Sequence, residues 1–247
     1  MFCMPKNILV LKHNKTHRSG VTLIELSISV AIIGLLLVMI TGGSYLLHAA
    51  GIRRTITEFT MIRSSIMEFK AKYHFLPGDL PTASTYFGAY QAGTPPTGAQ
   101  NGNGNSRIDG DEDLYSWRHL GISGLYPGQF TGVVADTGLR FLTGTNAPAS
   151  EHYTNALFRF HAITNGLYAT RGHAIQLGIP GTTGLPNTGV AKPKDAYAID
   201  TKLDDGLATT GMFVGSDGTT PCINSQNAYA LDSNDTGCNL VLWYEIF

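Results

Sequence analysis

The chain has 247 residues, enough for one or two domains, with 14% charged residues, 29 glycines and a formal net charge of −1. Four of its 17 basic residues, Lys6, Lys12, Lys15 and Arg18, lie in the first 20, and the remainder carries 13 basic against 18 acidic residues, net −5. That balance argues against nucleic acid as the main partner, because phosphate binding needs a basic face.

Residues 1–20 form a basic leader, and a long apolar run follows. From Leu26 to Ile52 there is no Lys, Arg, Asp or Glu, and about 20 apolar residues suffice to span a bilayer as a helix. Basic residues ahead of the run hold the N-terminus in the cytoplasm and place the rest of the chain outside. A secretory signal peptide has an apolar core of roughly 7–15 residues that ends at an A-x-A-like site. This run is longer, and Leu47-His48-Ala49-Ala50 is a poor cleavage site. Glu25 lies inside the run, where a charge costs about 2.5–3.5 kcal/mol at mid-bilayer. An ionisable residue there calls for a partner, and the run offers none of its own. On generic features alone the stretch is a signal anchor with Glu25 near the interface.

Gly20-Val21-Thr22-Leu23-Ile24-Glu25-Leu26 resembles the N-terminal processing motif of type IV pilins and type II secretion pseudopilins. The resemblance implies cleavage between Gly20 and Val21 by a prepilin peptidase/methyltransferase, with N-methylation of Val21. Val21 stands where the family usually has Phe, which bears on the methylation more than on the cut. It also implies an assembly role for Glu25, which in the family pairs with the N-terminal amine of a neighbouring subunit. Breaking such a buried pair costs several kcal/mol, so the pair favours assembly and sets axial register. The implied fold is α+β and pilin-like. A long N-terminal helix, membrane-spanning in its first half, packs on a C-terminal, mainly antiparallel β-sheet domain. The implied segments are the leader (1–20), the transmembrane and assembly half of the helix (21–47), its amphipathic half (48–75) and a periplasmic globular domain with long loops (76–247). The implied partners are identical or related pilin or pseudopilin subunits, an inner-membrane assembly platform, and the lipid bilayer before assembly. The implied place is the bacterial inner membrane, single-pass, then a filament. A reading of a different class keeps residues 21–47 as a plain anchor for a periplasmic binding or enzymatic domain, and such an anchor accepts Glu25→Leu freely.

Residues 22–75 read as one long helix, interrupted or bent. Ile52, Ile56, Phe59, Ile62, Ile66, Phe69 and Tyr73 recur at helical spacing, an amphipathic stripe that packs on a sheet. Gly42-Gly43 is a weak point in the helix. It reads either as a segment that melts on assembly, by the resemblance, or as close helix–helix packing. Pro77, Gly78 and Pro81 end the helix.

Residues 88–106 are a long Gly/Asn/Pro/Thr-rich loop. The stretch 101–112 has the oxygen spacing of a calcium loop, with Asn101, Asn103, Asn105, Asp109 and Glu112 as candidate ligands. Three Asn stand for the usual Asp, and Ser106 for the usual Gly at position 6. A flexible Asn-Gly turn is the competing reading. Trp117-Arg118-His119-Leu120 is a short amphipathic helix or strand. Strands are expected at 156–163, 174–177, 196–199 and 241–247, separated by turn-forming clusters. Ile199–Gly206 carries an Asp-Gly turn signal. It also looks like an acidic turn of some pseudopilin-like proteins, and major pseudopilins bind calcium through an acidic C-terminal loop of a different pattern. Cys3 leaves with the leader. Cys222 and Cys238 remain as an even pair outside the cytoplasm, which fits one disulfide, and pilins often staple a C-terminal loop in this way. No Walker loop, G-x-S-x-G, H-E-x-x-H or C-x-x-C is present, so an enzyme is not expected. No cofactor other than calcium is indicated.

Overall fold

The computed structural model describes residues 20–135, 138–163, 172–218 and 220–244, the side chains of residues 40–42 and 44 excepted. The leader before Gly20 and residues 245–247 of the expected last strand lie outside the described residues. The chain forms two compact units that divide between Leu47 and His48. Helix α1, Leu23–Tyr73, contributes to both.

In the first unit α1 is exposed all round. Leu23, Ile24, Ile28, Ile32 and Leu36 all face outward. Its hydroxyls turn inward on the helix: Ser29 Oγ donates to the Glu25 carbonyl at 2.7 Å and Ser27 Oγ to Ile24 at 2.9 Å. A Cβ at Gly34 or Gly43 would meet nothing within 4 Å, so neither glycine serves a close contact within the single chain. Among the described residues no helix is long and apolar enough to cross a membrane. The side chains of residues 40–42 and 44 fall within the uncharged run noted above.

In the second unit the apolar stripe of α1 becomes the core. Ile52, Phe59, Ile62, Ile66 and Phe69 are buried, with Ile56 and Tyr73 half-buried against them. The sheet beneath has β1 (Leu157–Ala162), β2 (His173–Gly178), β3 (Phe213–Asp217) and β4 (Cys238–Tyr244) in the order β1-β2-β4-β3. All its pairings are antiparallel. The last strand is therefore central, and all seven of its residues are buried. Phe59 stands edge-on to Phe158 at 5.3 Å and to Phe213 at 5.7 Å, joining the helix to both edge strands. Such aromatic pairs add roughly 0.5–1.5 kcal/mol each beyond burial.

Two short helices lie between α1 and β1: α2, Ala83–Phe87, and α3, Glu112–Ile122. Helix α3 buries Leu114, Trp117 and Leu120 in the same core. Helix α4, Pro193–Leu203, precedes β3, which corrects the strand expected at 196–199. Pro193 sits in the first helical turn, where its missing N–H costs nothing. The buried residues Ala196, Ile199 and Asp200 follow a spacing of three and one rather than two. A four-residue window was too short to separate those periods. Strand β3 carried no sequence signal of its own, since Gly215, Ser216 and Asp217 are poor strand formers. It forms because β4 offers a free edge.

Candidate functional site

Thr22 and Glu25 open α1 as a reciprocal pair. The Thr22 backbone N–H and its hydroxyl both donate to Glu25 Oε2, at 2.9 and 2.8 Å. The Glu25 N–H returns to Thr22 Oγ1 at 3.3 Å. This is a capping box, in which a Thr and a Glu three residues later satisfy two donors that a helix start leaves unpaired. The expectation that the run offers Glu25 no partner of its own is thus overturned: Thr22 is that partner. The signal was the T-x-x-E spacing, hidden by attention to charge alone. Gly20 precedes the helix, is exposed, and has open space around it, as does Val21 at 73% exposure.

The 101–112 stretch folds back on the loop between α1 and α2. Glu112 accepts the N–H groups of Asn103 at 2.7 Å and Asp109 at 3.1 Å. Asp79 accepts those of Asn105 and Ser106, each at 2.9 Å. The amide groups of Asn103 and Asn105 donate to the two oxygens of Asp109. Asn101 turns away and accepts from the Ser84 N–H at 2.8 Å, so it stands apart from the other four expected ligands. Ser106, at the loop's sixth position, has φ +64°, the left-handed turn for which calcium loops use Gly. Burial pushes the Asp79 and Glu112 carboxyls up, and the charge of Asp109 pushes both further. Asp79 was missed because it lies far upstream in sequence and enters only by folding.

On α3, His119 bridges the loop before α2 and the loop after it. Its Nδ1 accepts the Gly78 N–H at 2.9 Å and its Nε2 donates to the Gln100 carbonyl at 2.8 Å. Burial holds its pKa down, to about 4.

Asp200, Asp204 and Asp205 are, among the described residues, the one group of three or more acidic, His or Cys side chains close enough to share a cation. Each is already engaged. Asp200 takes the Tyr229 hydroxyl at 2.7 Å and the Gly206 N–H at 3.2 Å. Asp204 accepts the N–H groups of Met212 and Phe213, and Asp205 those of Leu207 and the Thr210 hydroxyl. The cluster builds the turn from α4 into β3. Next to it Cys222 and Cys238 form a disulfide, with Cα atoms 4.7 Å apart.

Residues 15–41 match the prokaryotic N-terminal methylation motif. This is the signal motif of type IV pilins and pseudopilins, and it covers Gly20, Val21, Thr22 and Glu25 together. Among curated proteins and among solved structures nothing matches the chain. The motif supports a prepilin-processed, pilin-like or pseudopilin protein of the bacterial envelope.

Proposed function

We propose that this chain is a structural subunit, cut between Gly20 and Val21, N-methylated on Val21, and assembled into a type IV pilus or secretion pseudopilus. The observation that carries the reading is the motif at residues 15–41 on a helix whose apolar side chains face outward on every side. Before assembly a bilayer covers that helix, with the second unit in the periplasm. In the filament neighbouring helices cover it, and Glu25 meets the α-amine of another copy. Processing by a prepilin peptidase/methyltransferase and docking on an inner-membrane assembly platform precede this step.

The capping box supplies the test. Gln at position 25 can still accept the Thr22 N–H, because Gln serves that position as well as Glu does, but it carries no charge for an amine. Glu25→Gln therefore leaves a folded membrane protein and strongly reduces its recovery in sheared filaments. Thr22→Val removes half of the box, costs about 1 kcal/mol at the helix start, and leaves incorporation largely intact. Equal incorporation of wild type and Glu25→Gln would contradict the assembly role.

A second reading, calcium in the 101–112 loop, is favoured by one observation. Ser106 adopts the left-handed turn such a loop requires, at the position that requires it. The ligand set is then Asn103, Asn105, Asp109 and Glu112, with Asp79 at its margin and Asn101 outside. A cation there would relieve the mutual repulsion of Asp79, Asp109 and Glu112. Calorimetry of the full chain in detergent against calcium gives saturable heat that Glu112→Gln abolishes; no heat at millimolar calcium leaves only a hydrogen-bonded turn.

A further inference from the structure

Helix α3 also buries a cation. Arg118 is 4% exposed and ties three loop carbonyls together. Its Nε donates to the Gly98 carbonyl at 2.8 Å, its Nη2 to that of Pro96 at 2.8 Å and its Nη1 to that of Phe130 at 3.2 Å. Those bonds hold the loop after α2 and the loop after α3 to the helix, but they do not neutralise the charge. Among the described residues no Asp or Glu pairs with Arg118, whereas Arg140 and Arg159 share Asp113. Burial pushes the Arg118 pKa down, with the Tyr90 phenol acting the other way. A buried charge is normally paired, because leaving it without a counter-charge is costly.

Open space adjoins this side chain. A cleft of about 370 Å³ lies between the loop after α2 and the C-terminal end of α3. Arg118 lines it together with Pro96 and Gly98, which accept two of its hydrogen bonds. That volume is at the lower end for a small-ligand site. Pro95, Pro96 and Ile122 give the cleft apolar walls, while Thr97 and Gln129 add neutral polar groups. Among the described residues that line it, Arg118 carries the only charge. A guanidinium has five N–H donors. Three are used here, and among the described residues the other two, one on each terminal nitrogen, meet no acceptor.

Charge selects the class of ligand. One cation in an apolar-walled cleft is balanced by one negative charge. A phosphate group, at about −1.5 to −2 near neutral pH, would bring an excess that nothing in the lining meets. A carboxylate carries a single charge, and its two oxygens match the planar donors of a guanidinium. An apolar group attached to it would lie against Pro95, Pro96 and Ile122 and lose water there.

We propose that this cleft binds an organic carboxylate, with Arg118 as its counter-charge and Pro95, Pro96 and Ile122 around its apolar part. The site uses residues of the second unit alone and stands apart from the filament reading. Calorimetry and thermal melts of the full chain in detergent test it, with sodium benzoate as the probe. Benzoate gives saturable heat and raises the melting temperature. Its uncharged isostere benzamide, and inorganic phosphate, bind at least about tenfold more weakly. N-acetylphenylalanine, a mimic of a peptide C-terminus, separates the two sources of a carboxylate: tighter binding than benzoate assigns the site to a chain end, weaker binding to a free small acid. Arg118 also ties three carbonyls, so its own substitution endangers the fold, and Gln129→Glu carries the mutational test. Gln129 is exposed, so the change spares the fold while placing a negative charge in the cleft, and benzoate affinity falls about tenfold. Wild-type protein indifferent to benzoate, benzamide binding as well as benzoate, or benzoate affinity unchanged in Gln129→Glu overturns the site.

Discussion

Thr22 gives Glu25 a use in the lone chain, and this changes what a substitution at Glu25 means. A carboxylate at the third helical position both caps the helix and stays available to an approaching amine, so loss of assembly in Glu25→Ala mixes two causes. Only Glu25→Gln separates them. At the same scale His119 is a buried neutral imidazole that accepts from Gly78 and donates to Gln100. Its folded pKa is near 4, below the unfolded value of roughly 6.5. Between those values the unfolded chain binds the extra proton, so the contribution of His119 is complete above about pH 6.5 and is lost as pH falls toward 4. A shift of that size corresponds to roughly 3 kcal/mol. His119→Gln is accordingly destabilising at pH 7.5, and its gap in melting temperature from wild type narrows on acidification to pH 4.5. A gap independent of pH would show that His119 titrates normally. His119 was legible as a residue of a short amphipathic element. Its role was not, since its partners, Gln100 and Gly78, lie in two loops 19 and 41 residues away.

At the scale of elements, the α1 stripe and the two strands nearest the predicted bounds were legible because apolar spacing is a local property. Helix α4 and strand β3 were not. The first has too few apolar residues to fix its period, and the second exists only as a partner of β4. The disulfide loop shows a related lesson. Read alone, residues 223–237 have little core of their own. In the fold Tyr229 is buried, its hydroxyl donating to Asp200 and accepting from Gly215 at 3.0 Å. The loop therefore has two anchors. Closing a loop of about 15 residues is worth roughly 3 kcal/mol, and a buried charge-assisted hydrogen bond about 1.5–3. Reduction alone should open the exposed stretches at 224–228 and 231–236 to protease while Tyr229 stays docked. Reduction combined with Tyr229→Phe should release the whole loop and leave the α1 core protected. Cleavage throughout 223–237 on reduction alone would assign the anchoring to the disulfide by itself.

For the whole molecule, the division between Leu47 and His48 separates two kinds of surface. The second unit buries its apolar side chains within one chain, around Phe59, Trp117 and the sheet. The first buries almost none of those described. A chain that exposes such a helix gains from every neighbour that covers it, at about 25 cal/mol per Å² of apolar surface. This much was readable from the uncharged run and the motif around Gly20. The assembly role proposed for Glu25 depends on the cut proposed after Gly20, which would create the α-amine. Its most direct measurement is the intact mass and N-terminal sequence of the protein extracted from the envelope. The prediction is a chain that begins at Val21 with an N-methyl group and has lost Cys3. A chain that retains Cys3, or one that begins at Ala50 or Gly51, would contradict it.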